Sequence, residues 1–527
     1  MLKTTRCTIL LLSAALGGMA HAGTPAVADT PQNALHALDR LGYGPRPGEL
    51  AQVQSQGVDA WIEQQLHPES IAMPVELQQR LAQLPSLRLS AAELFRRYGP
   101  PARRAAGDDE AARKQVNQAA ARVTEEAMQA RLLRAIYSPA QLQEVMTDFW
   151  FNHFNVFRGK GLEGRIWLGA YERDAIRPYA LGRFRDLLGA TAKHPAMLYY
   201  LDNWQSTAPR TDLFGEVKGG LNENYAREVM ELHTLGVDGG YTQKDVTELA
   251  RILTGWTYLP RLWLQDGDTP FAFEPKRHDA GDKLFLGHHI GDDGQTEGEY
   301  ALDLLAQSPA TAHHIAYELA QYFVADQPPP ALVERMAVRF QQTGGDIREM
   351  LRTLFHSPEF WAAADQGNKF KTPYRYVVSA LRASGTEVRN FRPLLSALEQ
   401  LGQPLYGCQT PDGYKNTEAT WLNPDAMVYR LNFATALGSG RLPLLRDEAS
   451  LPPLEAPTPM AAAMTPAAMQ PAAQPDAPQD RPPPPDPETL RATLGNTLSP
   501  STSAALEQAP PPLRAALLLG SPEFMRH

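Results

Sequence analysis

Two glutamates in the middle of this 527-residue chain, Glu228 and Glu231, have the residue type and spacing for acid–base chemistry. They lie in the segment LNENYAREVMELHTLGVDGGYTQKDVTELARILTGW, and on a helix residues three positions apart are neighbours. Neighbouring carboxyl groups beside a buried face can differ in pKa, as a general acid and a general base must. We therefore take Glu228 and Glu231 as candidate catalytic residues.

The same helix also permits a purely structural interpretation. Glu223, Arg227 and Glu231 follow each other at intervals of four, so both carboxylates can pair with one guanidinium on a solvated stripe. In the functional interpretation Asn224, Arg227 and His233 orient a substrate or stabilise charge. Burial of the stripe decides between the two, because exposed ion pairs contribute little and buried ones are costly.

A second group of candidates lies in the octapeptide DFWFNHFN. Asp148, Asn152 and Asn155 share one helical face, and Trp150 lies on another. A pocket with Asp148, Asn152 and His153 on its polar side and aromatic walls that include Trp150 would suit sugars and other amphipathic ligands. The alternative is a core helix in which His153 is simply hydrogen-bonded.

A third pair, His278 and Asp279, falls in a glycine-rich loop. In the enzyme hypothesis His278 and Asp279 bind substrate; alternatively, with His153 and His233 from other elements, they could form a metal or redox site. The Glu-x-x-His and His-Glu-x-x-His patterns of helix-borne metal sites do not occur in the central segment, so the ligands would come from separate elements. The sequence specifies no cofactor.

The elements that must position these residues are helical. Gly236, Gly239 and Gly240 separate two amphipathic patterns, and Thr242 with Asp245 forms a T-x-x-D helix start, which predicts an αα-hairpin. Further helices are predicted over 301–325, 331–342 and 346–361, and strand signals are scarce. We expect a mainly α fold with one large multi-helix domain built on αα-hairpins.

The two ends of the chain carry other signals. Residues 1–22 read as a signal peptide, with Lys3 and Arg6 before an apolar run that is too short to span a membrane. The helical main domain is predicted over 23–445 and a disordered Pro/Ala-rich linker over 446–495. A C-terminal helix within 496–527 should dock on the main domain through Leu513, Ala516, Leu517 and Phe524.

These features predict a periplasmic or secreted protein without a membrane span. The formal net charge is −9, and it becomes more negative when the basic signal peptide is removed, which argues against nucleic acid as a partner. Cys408 would remain as a lone cysteine, so the core and not a disulfide must supply stability.

Several stretches together resemble a bacterial family catalogued as domain of unknown function 1800: GYGPRPGEL, DFWFNHFNV, NENYAREVMELHTLGVDGGYTQKDV, LARILTGW, RHDAGDKLFLG and PDGYKNTEATWLN. The resemblance covers nearly all of 31–445 and the last helix. It implies a large, usually exported protein, often encoded beside another exported family with a sulfatase-like character. It implies no reaction.

Three hypotheses follow. The first is an exported hydrolase or lyase that acts on a polysaccharide or other envelope or extracellular polymer, with Glu228 and Glu231 as acid and base and His153 beside them. The second is a metal-binding or redox protein that uses histidines from several helices. The third is a non-catalytic assembly or binding partner of an exported protein.

Overall fold

The structure is a computed structural model that describes residues 27–211, 217–258, 271–446, 478–495 and 498–527. The predicted signal peptide and most of the predicted linker lie outside these residues. In the part described, no helix is both long and apolar enough to cross a membrane.

The fold is mainly α, as the sequence predicts. The α-helices before the central hairpin are Pro31–Leu41, Glu49–Gln56, Val58–Leu66, Val75–Ala82, Ala91–Tyr98, Pro100–Ala105, Glu110–Tyr137, Gln141–His153, Leu162–Ile166, Leu168–Tyr171, Phe184–Lys193 and Pro195–Tyr200. Those from the hairpin onward are Glu223–Glu231, Gln243–Ile252, Gln295–Gln307, Pro309–Phe323, Pro330–Thr343, Ile347–Phe355, Pro373–Ser384, Arg392–Gln400, Glu418–Trp421, Pro424–Gly438, Pro487–Thr493, Pro500–Gln508 and Pro511–Leu519.

The strands of the described residues are short and antiparallel. They pair as Arg210–Thr211 with Val217–Lys218, Trp256–Thr257 with Ala272–Phe273, and Lys283–Phe285 with His288–Ile290. These ladders pin loops between helices, and the core is formed by helix packing around fully buried side chains such as Trp150, Trp167 and Trp256.

The central hairpin forms as predicted. Asn222 caps the helix Glu223–Glu231, whose apolar stripe is buried at Tyr225 and Val229. The second helix, Gln243–Ile252, starts with a reciprocal capping box between Thr242 and Asp245. The hairpin is thus a rigid support for the polar residues on its flank.

The predicted helix over 301–325 was wrong as a single element. It is two helices, Gln295–Gln307 and Pro309–Phe323, because Pro309 cannot continue a helix and instead starts one, with the Ser308 hydroxyl accepting from the backbone of Ala310. The break places Pro309–Phe323 alongside the cavity described below.

The C-terminal part differs from the sequence prediction in two details. Within the predicted linker, Pro487–Thr493 is a helix capped by Asp486, and it packs on the last helix Pro511–Leu519. That last helix also packs on Pro424–Gly438. Of the residues predicted to dock it, Phe524 is buried, but Leu513 and Leu517 are exposed. Ala515, Leu518 and Leu519 are buried instead, because the contact face lies on the other side of the helix.

Candidate functional site

A cavity of about 280 Å³ lies beside the central hairpin. Its walls come from five helices and one loop: Glu110–Tyr137, Gln141–His153, the end of Glu223–Glu231, Pro309–Phe323, Pro373–Ser384 and the segment 403–416. Pockets for small molecules start at about 300 Å³, so this cavity is near their lower limit. Its size suits a small molecule or a short part of a polymer.

The lining is rich in charged and aromatic groups. It contains the carboxylates Asp148, Glu231, Glu318 and Asp412, and the permanent cations Arg131 and Lys415. The aromatic side chains of the lining are Phe149, Phe151, Tyr322, Tyr374, Tyr406 and Tyr414. Carboxylates therefore outnumber permanent cations in a space with aromatic walls.

His153 is held in the wall by two acceptors. Its Nδ1 lies 2.7 Å from a Glu318 carboxylate oxygen and its Nε2 lies 3.1 Å from the backbone oxygen of His233. Both ring nitrogens thus face acceptor oxygens, which fixes the orientation of the ring. Burial alone would raise the pKa of Glu318, but the charge and hydrogen bond of His153 outweigh it and hold that pKa below its ordinary value.

Two further histidines complete this wall. His314 lines the cavity, donates from Nε2 to the Leu232 carbonyl at 3.2 Å, and lies 3.7 Å from the second oxygen of Glu318. His233 is buried behind it, with its ring 5.8 Å from that of His153. Burial, together with His153 and His314, lowers the pKa of His233 well below its ordinary value, so its ring is neutral.

The opposite wall is a buried ion network around Arg131. Its guanidinium donates to Asp148 and lies 3.5 Å from Glu172, which also accepts from the Tyr406 hydroxyl at 2.9 Å. Glu172 begins a short π-helical stretch, Glu172–Ile176, a feature that often marks functional sites. The Arg131 guanidinium also stacks on three cavity rings, 5.0 to 5.5 Å from their centroids: Phe151, Tyr374 and Tyr406.

The two predicted catalytic glutamates have different surroundings. Glu231 lines the cavity and accepts one long hydrogen bond, at 3.4 Å, from the Tyr241 hydroxyl. Glu228 is half-buried one helical turn before it and is not among the residues that line the cavity. Burial raises the pKa of Glu228, and the charges of Glu231 and Asp412 raise it further against the opposing charge of Arg227.

The structure gathers only part of the predicted site. Asp148, Asn152, His153 and Glu231 line the cavity together, and Asn155 joins them. Trp150 is fully buried and donates to the Ala180 carbonyl in the core.

On the hairpin, Asn224 is exposed, and Arg227 pairs with Glu223 and Gln243 on a stripe that is more than one-third exposed. The purely structural interpretation, a solvated ion-pair stripe, therefore fits Glu223 and Arg227, whereas Glu231 faces the cavity.

His278 and Asp279 belong to another place, which we call the buried charge cluster: His278, Lys283 and Glu297. His278 lies 2.9 Å and the Lys283 ammonium 2.7 Å from the two oxygens of Glu297, and both acid and amine side chains are fully buried. Asp279 does not contact His278 through its carboxylate, which instead pairs with Arg251.

The geometry of possible metal ligands also centres on this cluster. Among the described residues, His278, Asp292 and Glu297 have donor atoms that all lie within 4.8 Å of one another. Lys283, however, already supplies the positive charge that a metal would bring, and it lies 3.4 Å from the His278 Nε2. The residues thus fit an internal ion pair better than a cation site, and the metal hypothesis stays a prediction.

Sequence reasoning missed most of the cavity lining that other elements contribute around His153. Glu318 lies 165 positions from His153, so no local pattern connects them. A signal was nevertheless available, because His314 and Glu318 are four apart on one helix, whereas the neighbouring His313 is exposed. Arg131 and the tyrosines of 403–416 gave no such signal.

Comparison with known proteins gives a family and no reaction. No curated protein and no solved structure matches the chain. The family described as "Protein of unknown function (DUF1800)" matches residues 36–526, nearly the whole chain. The chain therefore belongs to the DUF1800 family.

Proposed function

We propose that this protein is an exported hydrolase or lyase that cleaves a polysaccharide or another extracellular polymer in the cavity, with Glu228 and Glu231 as acid and base. The observation that carries the proposal is the unequal placement of the two glutamates. Glu231 faces an aromatic-walled cavity with its carboxylate nearly free, and Glu228 is half-buried with a raised pKa. Carboxyl groups whose environments separate their pKa values can serve as acid and base.

The rest of the cavity supports a role on sugars. Tyrosine and phenylalanine rings give flat apolar walls, and the polar groups between them can hydrogen-bond hydroxyl groups. His153, hydrogen-bonded to Glu318, lies in the same lining and can contact a bound sugar.

The test is the release of reducing ends, or of unsaturated ends, from a panel of neutral, acidic and amino polysaccharides. Loss of a general acid or base typically costs about 10²–10⁴-fold in rate, so Glu231→Gln and Glu228→Gln should each lose at least about 100-fold. Glu223→Gln is the matched control, because Glu223 is on the same helix but points away from the cavity and should retain turnover. Unchanged turnover in Glu231→Gln, or no turnover of any polymer by the unmodified protein, would contradict the proposal.

A further inference from the structure

Many hydrogen-bond donors in the cavity lining are already bonded to other groups of the protein. Arg131 donates to Asp148, and His153 faces Glu318 and a backbone carbonyl. Side-chain amides are engaged as well, since Asn152 donates to the Tyr414 carbonyl at 2.9 Å and Asn155 to the Thr410 carbonyl at 2.8 Å. These donors are therefore already occupied by the protein.

Some further donors of the lining are engaged in the same way. Lys415 lies 2.8 Å from Asp412, and Gln321 donates to the Asp326 carbonyl at 3.0 Å. The Tyr406 and Tyr414 hydroxyls donate to Glu172 and to the Pro404 carbonyl. A ligand that offers only acceptors would compete with these partners, although no described residue accepts from the Tyr374 hydroxyl or the Gln403 side-chain amide, which also line the cavity.

Acceptors, in contrast, are left over. Glu231 receives one hydrogen bond of 3.4 Å, and the second oxygen of Glu318 has its nearest cation 3.7 Å away. The side-chain oxygen of Asn416 is buried, and no described residue donates to it. Because buried acceptors without partners are costly, the cavity is complementary to a ligand that brings donors.

The charges of the cavity lining limit the class of ligand that the cavity can bind. An acidic or sulfated sugar would add negative charge where carboxylates already exceed permanent cations, and both Arg131 and Lys415 are paired. A neutral sugar would cover Glu231 and remove water from its carboxylate without compensating the charge, which is unfavourable. An ammonium group carries three donors and a positive charge, and aromatic faces attract cations.

We propose that the cavity binds a primary ammonium group on a sugar unit, with Glu231 as the carboxylate that receives it, so that the substrate is an amino polysaccharide. This inference rests on the proposed function, because it names the substrate of the same cavity. Glu231 is then a specificity-determining residue as well as a catalytic one.

The test is calorimetric titration of the full-length protein with four tetrasaccharides of equal length, built from glucosamine, N-acetylglucosamine, glucose and glucuronate. A charge-assisted hydrogen bond corresponds to about tenfold or more in affinity, so the glucosamine tetramer should bind at least about tenfold more tightly than the acetylated one. Glu231→Gln should abolish that preference. Glu231→Asp, which keeps the charge, and Glu223→Gln, which changes a carboxylate outside the cavity, should retain it.

A second probe separates the inference from the proposed function. Thermal denaturation is followed with n-butylammonium chloride, with n-butanol and sodium chloride as controls. Sugar binding without preference for the amine would overturn the inference and leave the polysaccharide function standing. Stabilisation by butylammonium without binding of any tetramer would support the ammonium site and overturn the polysaccharide function, and no response to either probe would overturn both.

Discussion

The cavity and the buried charge cluster contain the same kinds of charged side chain. In the cluster these side chains have partners within the protein, whereas in the cavity some of them lack partners. In the cluster, one oxygen of Glu297 accepts from His278 and from the backbone amides of Asp293 and Gly294, and the other oxygen forms an ion pair with the Lys283 ammonium at 2.7 Å. In the cavity, Glu231 has one long hydrogen bond and space in front of it. A charged group whose bonds are complete stabilises the fold, whereas one left incomplete beside a cavity is available to a ligand.

The largest expected effect is on stability, in the buried charge cluster. Glu297→Gln leaves the Lys283 ammonium buried without a counter-charge, so the free energy of unfolding should fall by about 3–5 kcal/mol. Urea and thermal denaturation measure the loss. The double variant Glu297→Gln with Lys283→Met should recover part of it, and a single variant as stable as the unmodified protein would show that the cluster is not a stabilising unit.

A smaller loss is expected from the matching change in the cavity wall, Glu318→Gln. The Glu318 side chain is 32% exposed, so solvent screens its pair with His153, and the loss should be about 1 kcal/mol. Because the pKa of Glu318 is lowered in the folded state, its contribution is present above the ordinary value of 4.5 and disappears as pH falls through the folded pKa. Thermal denaturation at several pH values measures this, and a loss as large as that of Glu297→Gln would remove the contrast between the two regions.

The third prediction is a gain in stability instead of a loss. The pKa of Glu228 is raised in the folded state, so the stability it contributes is present while it is protonated and is lost as pH rises above the ordinary value of 4.5. Glu228→Gln should therefore raise stability at neutral pH by up to about 1 kcal/mol, since solvent screens this half-buried group. The gain should vanish below pH 4.5, and Glu223→Gln should show none; a destabilised Glu228→Gln variant would mean that Glu228 is part of a completed network.

The smallest effect concerns metal. Since Lys283 already neutralises Glu297, dialysis against EDTA should leave the thermal midpoint unchanged, and elemental analysis of untagged protein should find no stoichiometric metal. Stoichiometric metal together with a lowered midpoint after EDTA treatment would favour the metal-binding hypothesis and direct mutagenesis to His278.

The sequence predicted those features that depend on residues close to one another along the chain. The capping box of Thr242 and Asp245, the glycine break and the buried stripe at Tyr225 and Val229 follow from residue spacing alone, so the hairpin was predictable. The shared face of Asp148 and Asn152 was predictable for the same reason, and both residues line the cavity.

What the sequence could not provide is the partner of each polar group. His153 and Glu318 meet only through tertiary packing, and the helical wheel cannot tell whether Glu231 turns toward Arg227 or toward a cavity wall contributed by 403–416. His278 and Asp279 are adjacent in sequence, yet their side chains pair with Glu297 and Arg251 on different elements. Adjacency along the chain is thus weak support for a joint chemical role.

The most direct test of this account is a crystal structure of the protein with the glucosamine tetramer. We predict a sugar unit in the cavity, its amino nitrogen within about 3 Å of a Glu231 oxygen, as a hydrogen bond requires. A tetramer bound elsewhere, or bound in the cavity with its amino groups turned away from Glu231, would contradict the account.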